Sequence, residues 1–96
     1  MITDAKISHI SEILKIEKES FDRPWRKDHF LNDLNNCSTK NWVFIKNFKV
    51  VGYLFGMYVM DEYHIHNIAV DKFYRRLGIA KNLFSNIINF SENQKV

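Results

Sequence analysis

The sequence contains few of the residues that interrupt regular structure. Its one proline is Pro24, and its three glycines are Gly52, Gly56 and Gly78. Because proline and glycine are the strongest local breakers, most of the chain is expected to lie in helices and strands. Aromatic residues make up 15% and hydrophobic residues 46% of the chain, a content that excludes a disordered protein. The 96 residues allow a single domain spanning 1–96.

Cysteine is also scarce. Cys37 is the only one, so the chain cannot form an internal disulfide, and no Cys/His spacing of the zinc type occurs. We therefore predict no metal site. A nucleophilic role for Cys37 would require a base beside it, and the sequence offers no sign of one. A lone thiol is typical of a reducing cytosol.

Long apolar runs are absent as well. Residues 1–11 lack a basic start followed by an apolar stretch, so they do not resemble a signal peptide. No segment has 18 consecutive apolar residues, so no membrane span is predicted. These features predict a cytoplasmic protein that has no membrane partner.

The net charge of +3 is modest and spread along the chain. The tight basic clusters are Arg23/Arg26/Lys27 and Arg75/Arg76. A nucleic-acid-binding domain usually has a broader basic stripe, so we expect no nucleic acid as partner. A small basic cluster suits a compact anionic ligand.

Hydrophobic periodicity predicts the order strand, helix, helix, three strands, helix. The predicted strands are 2–7, 41–46, 49–60 and 63–70, and the predicted helices are 9–21, 26–35 and 77–90. Ser8 is the expected cap of the first helix, and residues 91–96 are expected to be a frayed tail. Turns near 47–48 and 61–62 are short enough for antiparallel hairpins. The fold class is therefore α+β, with a mainly antiparallel sheet and flanking helices.

The segment from Asn67 to Ala80 is the candidate for a binding site. A buried strand ends, a basic loop follows, and a helix begins near Gly78 and Ala80. A helix start has unpaired backbone N–H groups and the positive end of the helix dipole, a combination that binds phosphate. Arg75 and Arg76 add positive charge beside it. The pattern predicts a pyrophosphate site, although a solvated basic turn that merely caps the helix is the alternative on spacing alone.

This segment is not a known nucleotide signature. It lacks the Gly-Lys-Ser/Thr of a P-loop and two of the three glycines of the dinucleotide fingerprint. Instead, residues 75–80 (Arg-Arg-Leu-Gly-Ile-Ala) resemble motif A of the GNAT acetyltransferases, Arg/Gln-x-x-Gly-x-Gly/Ala. Residues 67–71 resemble the fourth strand of that family. The segment Phe21-Asp22-Arg23-Pro24-Trp25 resembles the Phe-Pro-Trp segment of the RimI-type branch.

The resemblance implies a GNAT-like mixed sheet and acetyl-CoA as the acetyl donor. It implies that Ile68, Ala69 and Val70 pair with the pantetheine arm. It further implies that the turn made of Arg75, Arg76, Leu77, Gly78, Ile79 and Ala80 surrounds the pyrophosphate. The implied acceptor is a protein N-terminal amine, that of a ribosomal protein in the RimI-type branch. The amine attacks the thioester directly, so positioning supplies much of the rate.

Several other residues carry a functional and a structural interpretation. Phe21 and Trp25 either line the acceptor groove or fill the space between the first two helices. His64 and His66 share one face of the fourth predicted strand, because strand side chains alternate. An imidazole there could accept a proton from the acceptor amine, although a packing or surface role is the simpler interpretation. The four tyrosines are best explained as sheet aromatics. The catalytic residues stay unassigned.

A complete member of the family continues with a fifth strand, a fourth helix and a closing hairpin, and this sequence stops before them. The chain is then a fragment, a shortened product, or one part of a fold completed by a second polypeptide. In the chain as it stands, the fourth strand is expected to have an exposed edge, which invites self-association. The competing functions are an N-acetyltransferase, a non-catalytic CoA-binding or interaction module, and a small RNA-binding domain. The sequence shows no exposed aromatic platform for base stacking, which argues against the RNA-binding domain.

Overall fold

A four-stranded antiparallel sheet with helices on both faces organises the chain. The computed structural model describes residues 1–94. The strands pair in sequence order, β1-β2-β3-β4. The elements are β1 (Ile2–Asp4), α1 (Ile10–Ser20), α2 (Lys27–Asn35), β2 (Trp42–Lys46), β3 (Lys49–Val59), β4 (Glu62–Val70) and α3 (Ile79–Gln94). The predicted order and α+β class are confirmed.

The core has two halves, one on each face of the sheet. Helices α1 and α2 pack on one face through apolar side chains that include Ile13 and Phe30. Helix α3 packs on the other face through Ile79 and Leu83. Strand β3 is central and is buried on both faces over residues 50–56, so its Val- and aromatic-rich run has no polar alternation.

Two tight turns form the hairpins. Asn47 and Phe48 both have positive φ, and so do Met60 and Asp61. Positive φ at both central residues gives a turn whose twist matches that of the flanking strands. The turn predicted at 47–48 is confirmed, and the one predicted at 61–62 lies one residue earlier.

The N-terminal prediction was wrong in two details. Strand β1 ends at Asp4 rather than residue 7, and a 3-10 turn, Ile7–His9, precedes α1. Ser8 provides no cap. Instead, the backbone N–H of Lys6 donates to Nδ1 of His9 across 3.0 Å. A side chain reaching back to the preceding backbone replaces the expected hydroxyl cap.

The last helix also differs from the prediction. It begins at Ile79 rather than residue 77 and continues to Gln94, so residues 91–94 are helical rather than frayed. The rest of the predicted tail, 95–96, lies outside the described residues. Of its two apolar rows, the one with Ile79 and Leu83 is buried on the sheet, whereas Phe84 and Ile88 in the other row are 45% and 62% exposed. One helix face can contact one sheet, so only one row packs.

Candidate acetyl-donor site

The turn between β4 and α3 is shaped by two left-handed residues. After Val70 a 3-10 turn, Lys72–Tyr74, is anchored by Asp71, whose side chain accepts the Phe73 N–H at 2.9 Å. Arg76 and Gly78 then take φ values of 64° and 79°. These two left-handed residues turn the backbone from the end of the strand into the start of the helix.

The start of α3 supplies backbone hydrogen-bond donors. The N–H of Asn82 donates to the carbonyl oxygen of Gly78 at 2.9 Å and begins the helical ladder. The amides ahead of it in the first turn have no acceptor within the helix. They carry the positive end of the helix dipole, so an anion is favoured at this point.

Gly78 leaves the approach to these amides open. A Cβ placed on Gly78 would have no heavy atom within 4 Å, so the space above the turn is free. The positive φ of Gly78 also suits glycine better than other residues. A bulky anion can therefore come close to the backbone here.

The two arginines of the turn differ in their contacts. The Nε of Arg75 donates to the carbonyl oxygen of Val70 at 3.1 Å, which ties the turn to the end of β4. Within residues 1–94 neither Arg75 nor Arg76 forms an ion pair with a carboxylate. Both side chains are exposed, so their charge is available to a ligand.

A cavity of about 490 Å³ lies over this turn. Eight of the nine residues predicted to bind the donor line it, and the ninth, Leu77, does not. The lining residues are Ile68, Ala69, Val70, Tyr74, Arg75, Arg76, Gly78, Ile79, Ala80, Lys81 and Phe84. The strand end, the basic turn and the helix start thus form one concave surface.

Strand β4 borders this cavity with an unpaired edge. Its inner edge pairs with β3 from Glu62 to Val70, and within the described residues no strand pairs with its outer edge. The outer N–H and C=O groups near Ile68, Ala69 and Val70 are therefore available to an extended polar ligand.

This arrangement matches a known family. Residues 10–96 match the model of the Acetyltransferase (GNAT) family. This chain is a GNAT-family member. The match includes both the strand-turn-helix segment and the two helices that precede the sheet hairpins.

Individual GNAT proteins resemble the chain over almost its whole length. A Bacillus subtilis protein, provisionally named as a ribosomal protein bS18-alanine N-acetyltransferase, is 28% identical over 94 residues, which are 97% of this chain and 62% of that protein. Two crystal structures share the fold. The ribosomal-protein-S18-alanine N-acetyltransferase from Escherichia coli has a TM-score of 0.89 at 24% identity, with 98% of this chain and 60% of that chain covered. Ard1 from Thermoplasma volcanium has a TM-score of 0.87 at 22% identity, with 98% and 64% covered. The chain thus spans about three fifths of the length of these relatives.

One residue that lines the cavity was interpreted from the sequence as a sheet aromatic. Tyr74 is not a sheet aromatic but lies in the 3-10 turn and lines the cavity. The ammonium of Lys49 sits 4.9 Å from the centre of its ring. Lys49, aided by Asn47, lowers the pKa of the Tyr74 phenol. The hairpin between β2 and β3 therefore contacts the turn between β4 and α3.

The two histidines of β4 have different carboxylate neighbours. Nε2 of His64 lies 3.3 Å from Glu62, and both side chains are largely exposed. Nδ1 of His66 lies 2.9 Å from Oδ2 of Asp33, and this pair is partly buried. His66 is the extra residue of a β-bulge, because Phe55 pairs with Asn67 while Gly56 pairs with Ile65. The bulge brings His66 against helix α2.

The two residues predicted to bind the acceptor lie in the loop between α1 and α2. Trp25 is half-buried, with its ring 5.0 Å from that of Phe30. It also borders a second cavity of about 480 Å³, whose lining includes Lys18, Arg26 and Lys27. Trp25 thus packs between the helices and also borders open space. Phe21 is 40% exposed and does not line this cavity.

The sequence interpretation missed the role of Glu17. In the sequence it interrupts the otherwise apolar face of the first helix. In the structure it is 2% exposed and accepts hydrogen bonds from the backbone of Trp25 and the side chains of Tyr53 and Asn67. A lone carboxylate on an otherwise apolar helix face was the available signal, because such a group must find donors when buried.

Within residues 1–94, no group of three or more His, Cys, Asp or Glu side chains is arranged to hold a metal ion. Cys37 is exposed. Among the described helices, none combines the length and apolar character needed to cross a membrane.

Proposed function

We propose that this chain binds acetyl-CoA and forms the donor half of an N-acetyltransferase that acts on a protein N-terminal amine. The observation that carries the proposal is the continuity of β4, the basic turn and the start of α3 around one cavity. These residues fit coenzyme A, because the open space at Gly78 faces a helix N-terminus and two arginines that form no ion pair within residues 1–94.

Each part of the site has a distinct task in this proposal. The amides that open α3 hold the diphosphate, and Arg75 and Arg76 neutralise its charge. The outer edge of β4 at Ile68, Ala69 and Val70 hydrogen-bonds the pantetheine arm as a strand would. When bound, acetyl-CoA supplies the acetyl group as a thioester, so that the amine's N–C bond forms, the C–S bond breaks and coenzyme A leaves as a thiolate.

The acceptor amine must lose its proton to attack. His66 is suited to receive it at Nε2, because Asp33 holds the other ring nitrogen at 2.9 Å. His64 is the second imidazole on the strand, with Glu62 as its neighbour.

The Phe21–Trp25 loop provides the acceptor surface. Similarity to alanine N-acetyltransferases supports an N-terminal alanine, and a ribosomal protein, as the acceptor.

The decisive experiment compares Gly78→Asp with Gly78→Asn by calorimetry with acetyl-CoA. The two side chains have nearly the same shape, and both tolerate left-handed backbone better than most residues. They therefore share the strain at a φ of 79° and differ in charge. We expect the Asp variant to bind at least about tenfold more weakly than the Asn variant, a difference of about 1.4 kcal/mol.

Two results would contradict the proposal. Equal affinities in the two variants would show that no anion lies at this turn, and absent binding by the unmodified chain would remove the donor site altogether. Acetyl-CoA binding without transfer to an alanyl peptide would instead favour the non-catalytic CoA-binding module.

A further inference from the structure

Glu17 is a buried carboxylate that links three separate elements. It lies on α1 and is 2% exposed. Its Oε1 accepts from the hydroxyl of Tyr53 on β3 at 2.6 Å and from Nδ2 of Asn67 on β4 at 2.8 Å. Its Oε2 accepts from the backbone N–H of Trp25, in the loop after α1, at 2.8 Å. Within the part of the chain that is described, it has no ion-pair partner.

Packing alone does not account for a carboxylate at this position. Burying a charge carries a desolvation penalty, and well-packed apolar residues are often as stable as a buried ionic group. Here three donors replace the lost water, and hydrogen bonds to a charged group are stronger than those between neutral groups. Burial, together with the bond to Glu17, raises the pKa of Tyr53, so its hydroxyl stays a donor.

The two ends of this network belong to different surfaces. Trp25 borders the second cavity, on the loop that the proposed function assigns to the acceptor. Asn67 immediately precedes Ile68, the first residue assigned to the donor. The bulge in β4 lets Asn67 face α1, where Glu17 can reach it. One carboxylate thus bonds directly to both the acceptor loop and the donor strand.

We propose that Glu17 is a positioning residue that fixes the acceptor loop relative to the donor strand. It touches neither substrate and acts through Trp25 and Asn67. This inference rests on the proposed function. It predicts that loss of the three hydrogen bonds weakens binding of the acceptor while the donor site, which is built from the β4-α3 turn, keeps its affinity.

The test compares Glu17→Met with Glu17→Gln. Methionine fills a similar volume but accepts no strong hydrogen bond, so all three contacts are lost. Glutamine can accept from Trp25 with its oxygen and donate to Tyr53 and to Asn67 after the Asn67 amide turns over. Tyr53→Phe is the matched control, since it removes one bond but leaves the link between loop and strand.

Calorimetry measures the affinity of each variant for acetyl-CoA and, with coenzyme A present, for a synthetic hexapeptide that begins with alanine. We expect Glu17→Met to bind the peptide at least about tenfold more weakly, with acetyl-CoA affinity within about twofold of the unmodified chain. Glu17→Gln and Tyr53→Phe should stay within about threefold for both ligands.

Hydrogen exchange at the Trp25 amide gives a second readout. It should be fast in Glu17→Met and slow in the other two variants. If Glu17→Met does not fold, Glu17→Asp replaces it. The shorter side chain keeps the charge but cannot reach all three donors, so peptide binding should again weaken selectively.

The outcomes separate the two proposals. Unchanged peptide affinity in the folded Met or Asp variant, or an equal loss of both ligands, would overturn the role of Glu17 and leave the donor site standing. Failure of the unmodified chain to bind acetyl-CoA would overturn the proposed function and this inference with it.

Discussion

The side chain of Arg75 donates from Nε to the carbonyl oxygen of Val70 across 3.1 Å. This bond joins the start of the basic turn to the last residue of β4. Arg76, by contrast, has left-handed backbone with a φ of 64° and an exposed side chain. The two neighbouring arginines are therefore not equivalent: Arg75 braces the turn and carries charge, whereas Arg76 contributes charge.

We expect Arg75→Ala to weaken acetyl-CoA binding more than Arg76→Ala. Loss of one unpaired charge beside a diphosphate should cost a few-fold in affinity, and loss of the brace should take Arg75→Ala to about tenfold. Calorimetry at low and high salt measures both, and the Arg76 effect should shrink as salt screens it.

Lys46→Ala controls for net charge, because Lys46 is exposed at the end of β2 and lines neither cavity. A Lys46 variant as weak as the Arg75 variant would show that affinity follows overall charge rather than this turn.

The strand, turn and helix of residues 67–80 could be predicted because the information for them is local. They form one uninterrupted stretch of the sequence, so their neighbourhood in space follows from their order, whereas their assignment to the donor came from the family resemblance. The link from Glu17 to Tyr53 and Asn67 could not be predicted in this way, since those partners are 36 and 50 residues away. Contacts at that separation depend on how the sheet assembles.

Gly56 gives a prediction about the sheet itself. A Cβ on Gly56 would lie 2.5 Å from the carbonyl oxygen of His64 and 2.6 Å from the ring of Tyr63. On Gly52 the closest atoms would be at 3.1 Å and 3.3 Å. We expect Gly56→Ala to lower the free energy of unfolding by about 1–3 kcal/mol, because backbone must move.

Urea denaturation measures this loss, with Gly52→Ala as the matched control in the same strand. The Gly52 variant should lose less, because its nearest contact is a side-chain methyl of Ile79. Equal losses in the two variants would mean that β4 adjusts freely at the bulge.

His9 gives a pH-dependent prediction. Burial lowers its pKa below the ordinary value of 6.5, Lys6 adds to this, and Glu12 opposes it. The neutral ring accepts the Lys6 N–H, so the folded state favours the unprotonated form. This contribution to stability is complete above pH 6.5 and is lost as the pH falls through the lower folded-state pKa.

His9→Gln isolates this effect. Glutamine at the same position can still accept the backbone N–H but does not titrate. The urea midpoint of the unmodified chain should therefore fall more than that of His9→Gln between about pH 7 and about pH 5. Parallel declines would assign the pH dependence to other groups.

The sequence predicts that a helix forms more reliably than it predicts where the helix ends or which of its faces packs. The apolar pattern of α3 fits two rows, and nothing in the sequence says which row meets the sheet. The structure buries Leu83 and leaves Ile88 62% exposed. Likewise, tyrosine is a residue type that strands favour, yet Tyr74 lies in the turn that follows Asp71 and lines the cavity. Both outcomes depend on packing partners rather than on local preference.

His66, the bulge residue of β4, changes the face of the sheet to which the side chains after it point. Tyr63 stacks near Trp42 at 5.6 Å, on the α3 face, whereas Asn67, four positions later, reaches Glu17 on the α1 face. In a regular strand these two odd-numbered positions would point the same way. A deletion of His66 would leave Tyr63 and Asn67 three positions apart, and in a regular strand they would still point to opposite faces. The aromatic stack and the polar network would both keep their register with β3, and the contact between His66 and Asp33 would be lost.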